Sequence, residues 1–265
     1  MTGRAAPGPA GRYRFRHVAR MEWIKLRSLR STWWTLAIAV AGAIGIGAAV
    51  GINTRNAGGD LTNNALAGII PALLLISVLG VLTMTSEYSS GMIRSTLAAV
   101  PRRPVLLGGK AAVFGALALV TGEAASLIAF FAGGAALRPG IAAPTLGQPG
   151  VLRAVLLSGA GFCLVGLLGI GLGAIIRHSG AAIGAIVGGV YVIPAIVASA
   201  ARGIGVYTPI IIIGNSLTTT KPEPCPAPGG QCVHPLPAWA GLGLLGLYAA
   251  VALVIGGWLF ARRDA

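Results

Sequence analysis

The chain has 265 residues, 55% of them hydrophobic and 10% charged, with a mean hydropathy of +0.82. A soluble domain carries about 25% charged residues, so an ordinary water-soluble fold is excluded, and the 41 glycines do not follow the collagen period. The formal charge of +14 invites comparison with nucleic-acid binders, but its distribution fits membrane topology better.

Residues 1–11, MTGRAAPGPAG, are rich in Pro and Gly and read as a disordered tail. No cleavable signal peptide is evident, because the first apolar run starts near Trp33 after a long basic segment and is too long for a signal core. Residues 12–32 read as an amphipathic interfacial helix. At 100° per residue, Phe15, Val18, Ala19, Leu26 and Leu29 share a sector, with Arg12, Arg16, Arg20, Arg27 and Arg30 largely opposite. Such a helix lies among lipid headgroups, with Trp23, Trp33 and Trp34 marking the interface. Glu22 and Lys25 intrude on the apolar sector. They can pair with each other or with a partner, so Glu22, Trp23, Lys25 and Arg27 are candidate interfacial contacts.

Residues 33–263 form the expected transmembrane domain, an all-α bundle of six helices near 33–52, 65–86, 111–132, 152–176, 181–200 and 238–260. The second contains Pro71, tolerated if neighbouring helices repair the lost backbone bond. Fifteen of the 20 basic residues lie on one side: eight in residues 1–32, then Arg94, Arg102, Arg103, Lys110, Arg177, Arg262 and Arg263. The other side holds Arg55, Arg138, Arg153, Arg202 and Lys221. Both termini are therefore expected in the cytoplasm, with attraction to anionic membrane lipids and no nucleic-acid partner.

Between the second and third spans lies EYSSGMIRSTLAAVPRRPVLLGGK, residues 87–110. Tyr88 with Met92, and Ile93 with Leu97, are spaced for a short amphipathic helix. Gly91 weakens it, Pro101 and Pro104 stiffen the turn that follows, and Arg102, Arg103 and Lys110 bracket the start of the third span. The connector RHSG between the fourth and fifth spans is far shorter. Extra polar length on the basic side suits either a docking element or a plain positive-inside loop.

MEWIKLRSLRSTWWTL and TSEYSSGMIRSTLAAVPRRPVLLGGK together resemble the two cytoplasmic signatures of permease subunits from type-2 ATP-binding cassette (ABC-2 type) transporters. The first is similar to their connecting helix. In the second, Glu87, Gly91, Pro101, Arg103 and Lys110 match the loop after the second span. The resemblance implies an export permease in the plasma membrane, the inner membrane of a bacterium. It further implies pairing with a second permease subunit and power from separate cytoplasmic ABC ATPase subunits. Glu87, Tyr88, Gly91, Met92, Arg94, Pro101, Arg103 and Lys110 are its candidate coupling residues. No GxxxxGK[ST] loop is present, and GGK at 108–110 lacks the required glycine spacing. Neither a catalytic residue nor a cofactor is therefore expected on this chain.

Glu123 stands near the middle of the third span without a cation close in sequence. A carboxylate there must be protonated, hydrated or paired, and three roles stay open: lining a path, holding a dimer contact, or a structural hydrogen bond. Cys163, in the fourth span, reads as a packing residue. The outer loop, 201–237, contains YTPIIIIGN, which can dip into the membrane or cover its outer mouth. It also holds Cys225 and Cys232, a candidate disulfide on the oxidising side; with His234 they make a weaker metal-site pattern. A second function class remains beside the exporter: a noncatalytic membrane anchor or sensor that recruits a cytoplasmic partner.

Overall fold

The computed structural model describes residues 15–55, 58–100, 102–200, 202–219 and 236–262. Each described element is helical. On the basic side, α1 (Phe15–Ser28) breaks at Leu29 into α2 (Arg30–Asn53). The break is bridged by the Trp33 indole, whose Nε1 donates to the Arg27 carbonyl at 3.1 Å. On the far side, α3 (Leu61–Ala65) is capped by Asp60, which accepts from the Asn63 amide at 3.0 Å.

The chain returns through α4 (Ile69–Ser89), turns into α5 (Met92–Ala99), and crosses again in α6 (Arg103–Ala135). Two prolines take roles other than those expected. Pro71 is the third residue of α4, where the backbone N–H has no intrahelical acceptor, so no bond needs repair. Pro104 sits in the first turn of α6 and starts that helix instead of extending a turn. The third helix thus runs 33 residues, about 50 Å at 1.5 Å per residue, and its inner end projects well past the hydrocarbon.

Next come α7 (Val151–Ile176) and a fifth crossing made of α8 (Ser179–Val187), a π-helical turn at Gly188–Val192, and α9 (Ile193–Ala200). The π turn precedes Pro194, whose missing N–H favours a local change of helix pitch. Within the expected outer loop are α10 (Arg202–Gly205) and α11 (Pro209–Leu217), and α12 (Ala238–Arg262) closes the bundle. The buried Ile212, Ile213 and Leu217 pack α11 into the core, and Ile212 meets Gly241 of α12. The apolar IIII run is therefore a short packed helix.

Six helices are long and apolar enough to cross a membrane: Arg30–Asn53, Ile69–Ser89, Arg103–Ala135, Val151–Ile176, Ser179–Val197 and Ala238–Arg262. Of these α7 is the most buried, packed against α4, α6 and α12. Its glycines make this possible. Gly169 lies against the Ser77 backbone of α4, and Gly171 against Ala252 of α12. Between lipid-embedded helices, where apolar burial gives little drive, close backbone approach supplies much of the adhesion. Gly80 of α4 makes an equally close approach to α7, since a Cβ there would overlap the Gly166 carbonyl. Gly80→Leu is expected to destabilise the bundle by about 1–3 kcal/mol or more, because backbone cannot yield as a side chain does. A denaturation midpoint in detergent unchanged from the parent would contradict this packing.

Candidate functional site: a buried charge cluster at the inner end

The end of the bundle carrying the basic excess, here called the inner end, gathers α1, α5, the last turns of α4, α7 and α12, and the first turns of α6. The buried residues of α1 are Val18, Glu22 and Leu26, spaced i, i+4, i+8 along one stripe. Glu22, which looked like an intrusion in the apolar sector, is the middle of that stripe. Phe15, Trp23, Ile24 and Leu29 are exposed instead. The helix can approach because α6 presents Gly109, where a Cβ would lie 2.6 Å from Val18 Cγ1. The GGK segment is thus a notch for α1.

Lys110, the next residue, points into the same junction. Its Nζ lies 2.7 Å from Glu22 Oε2 and 2.8 Å from Glu87 Oε1. Lys25 Nζ completes the set, 3.0 Å from Glu87 Oε1 and 3.3 Å from Glu22 Oε1. Glu22, Glu87 and Lys110 are 2%, 3% and 4% exposed, so two carboxylates and two ammoniums form a charge-balanced cluster joining α1, α4 and α6. Isolated charges could not be buried this way at tolerable cost; paired and hydrogen-bonded ones can. Burial alone would lower the Lys25 pKa, but the Glu22 and Glu87 carboxylates outweigh it and hold the ammonium above its ordinary value. The cluster borders a cavity of about 380 Å³ that also touches Ser86 and Met92. Glu87 Oε2 is buried with no hydrogen-bond partner among the described residues, and the cavity is roomy enough for a water to serve it beside Lys25 and Ser86.

The neighbouring residue, Tyr88, faces a second junction. Arg177 caps α7 in the left-handed conformation (φ 61°), with its guanidinium carbon 5.1 Å from the Tyr88 ring centroid and Nη2 donating to the Leu259 carbonyl at 3.3 Å. Arg103 Nη1 donates to the Phe260 carbonyl at 2.9 Å. Both cations thus sit on last-turn carbonyls of α12, which a helix leaves without intrahelical partners and which carry its negative pole. Arg103, one of the basic residues bracketing the third span, thus ties the start of α6 to the end of α12.

Gly91 links α4 to α5 at φ 71°, with nothing within 4 Å of where its Cβ would be. A side chain would have room there, so the constraint is the left-handed backbone, about 1–2 kcal/mol for an L-residue. On α5 itself Ile93 and Thr96 are buried, while Met92, Arg94, Ser95, Ala98 and Ala99 are exposed. Pro101, Cys225 and Cys232 lie outside the described residues, so the docking and disulfide readings that involve them have no structural counterpart here. Among the described residues no group of three or more His, Cys, Asp or Glu could hold a metal ion.

Mid-membrane, the Glu123 carboxyl rests against Gly159 of α7, where a Cβ would lie 2.6 Å from Oε2. Oε2 is buried without a hydrogen-bond partner among the described residues. Ser126 bonds to Ser158, Oγ to Oγ at 2.8 Å, and leaves the carboxyl unserved. Cys163 is a half-buried free thiol, 3.4 Å from the Cβ position of Gly115 on α6.

With six apolar helices and no strand among the described residues, the class of the molecule is decided. The chain is an all-α, multi-pass integral membrane protein. Compared with known proteins, it matches no family model and no curated protein. The membrane-protein assignment therefore rests on the helices themselves.

Proposed function

We propose that this chain is the permease subunit of an exporter, one membrane half of a pair, driven by a separate ATPase on the cytoplasmic side. The observation that carries the reading is the placement of α5. It hangs from the end of α4 through a left-handed glycine, keeps one face outside the bundle, and is rooted beside the charge cluster. A push on α5 would reach Glu87 and Tyr88 within one turn of helix. From Glu87 it passes through Lys110 to α6 and through Glu22 to α1; from Tyr88 it passes through Arg177 to α7 and α12. This is the connectivity that alternating access requires of a passive membrane half, since packed helices shift as units. The resemblance of both inner segments to ABC-2 permease signatures supports the same conclusion.

In this reading Glu87 and Lys110 transmit, and the contact with the ATPase belongs to the exposed face of α5. Arg94→Asp and Ser95→Trp alter that face without touching the cluster or the cavity beside it. Each is expected to leave membrane abundance near the parent level and to lower co-purified ATP hydrolysis by roughly tenfold, the loss of about 1.4 kcal/mol of coupling. Unchanged hydrolysis in both would sink the docking role of α5. A partner retained on the chain without any ATP hydrolysis would favour the anchor or sensor reading.

A further inference from the structure

The stripe of α1 that packs against the bundle is taken up by the charge cluster. A neighbouring flank of the helix is not. There Ala19, Arg20 and Trp23 form one wall of a groove of about 610 Å³, and Ala112, Ala116 and Val120 of α6 are on the other. Small residues make the trough. From Ala112 to Val120 its α6 wall runs about 12 Å, at 1.5 Å per residue, and it belongs to a membrane-crossing helix. Val120, deep in the span, is 68% exposed.

The inner rim is different in kind. Arg20 makes no hydrogen bond or ion pair to any described residue, and neither does the Trp23 indole N–H. The exposed side of α1 carries no acid, because its single one, Glu22, is buried in the cluster, while Arg16, Arg20 and Arg27 are exposed. An apolar trough facing lipid is no place for ordered water. Unused donors and uncompensated positive charge at its mouth call for an anionic head attached to an apolar tail.

We propose that the groove between α1 and α6 holds one anionic phospholipid, with its phosphate on Arg20 and Trp23 and an acyl chain along Ala112, Ala116 and Val120. Guanidinium forks suit phosphate oxygens, and tryptophan favours the headgroup level. The lipid fills the gap between connecting helix and third span, so α1 is held on one flank by protein charge and on the other by lipid. The inference goes beyond the transport reading and holds for any multi-pass protein with this groove.

The test uses the full chain with Trp33, Trp34, Trp239 and Trp258 replaced by Phe, leaving Trp23 as the single tryptophan of the original five, excited at a wavelength the tyrosines do not absorb. In nanodiscs of phosphatidylcholine, Trp23 quenching is titrated with acyl-brominated phosphatidylglycerol or acyl-brominated phosphatidylcholine. The anionic lipid is expected to quench at about fivefold lower mole fraction, the effect of one basic side chain at the surface. Arg20→Ala should erase that preference, and Ala116→Leu should weaken quenching by both lipids. Equal quenching by the two lipids, a preference that survives Arg20→Ala, or indifference to Ala116→Leu would each overturn the site. So would a disulfide between two copies through Ala116→Cys, made in a chain whose three native cysteines are serine, because the groove would then be covered by protein.

Discussion

Replacing Lys110 by methionine is expected to cost the fold about 3–5 kcal/mol, the usual penalty for removing one partner of a buried ion pair. The ammonium touches Glu22 at 2.7 Å and Glu87 at 2.8 Å, and all three side chains are buried. Without it, two carboxylates face each other with Lys25 alone between them, and Glu87 Oε2 already has no protein donor. A loss of that size is a large share of the stability a protein normally possesses. Membrane yield and detergent unfolding midpoint should both fall. The double variant Glu22→Leu with Lys110→Met removes one charge of each sign and leaves the Lys25–Glu87 pair at 3.0 Å. It should recover most of the stability, so the two changes are strongly non-additive. Coupling should not recover, because α1 has lost its charge tie to α6. A Lys110→Met protein within about 1 kcal/mol of the parent would mean that the cluster is not a tightly paired one.

Glu123→Met carries the opposite sign: the bundle should become more stable by about 1–3 kcal/mol, because a buried, unpartnered acceptor is replaced by an apolar chain of similar length. Its Oε2 has no hydrogen-bond partner among the described residues, and Ser126 and Ser158 bond to each other. Glu123→Gln keeps the polar burden and should move the midpoint little. If Glu123 serves transport, the methionine variant will be stabilised yet hydrolyse ATP poorly with its partner, the trade-off expected where strain is kept for function. A stabilised and fully coupled variant would reduce Glu123 to a tolerated polar group. A destabilised one would mean that a donor, from water or a second subunit, serves the carboxyl in the membrane.

Hydropathy made the six crossings legible, because a span must be long and apolar whatever it packs against. The site was legible only in fragments. Glu22 in an apolar sector was the visible sign that α1 buries a charge, yet its partner is Lys110, 88 positions away, and neither residue alone specifies the pairing. Glu87 and Lys110 were recognisable as a motif, but a motif does not say whether a side chain turns inward or outward. Arg103 looked like one more surface cation until α12 was seen to end beside it. The π turn at Gly188–Val192 left no mark in the hydrophobic pattern, since every residue there is apolar or aromatic on all sides. Gly109 carried no visible signal of its own; its use depends on Val18 arriving from another helix.

Photo-crosslinking from α5 in intact cells tests whether that helix meets an ATPase. A benzoyl-phenylalanine residue placed at Ser95, on the exposed face of that helix, is compared with one at Phe131, which is 58% exposed on α6 near the far end of the span. An ultraviolet-dependent adduct is expected from position 95 alone, with a polypeptide whose peptides include a GxxxxGK[ST] phosphate-binding loop. No adduct from position 95, or an adduct only with a polypeptide that lacks such a loop, would contradict that contact.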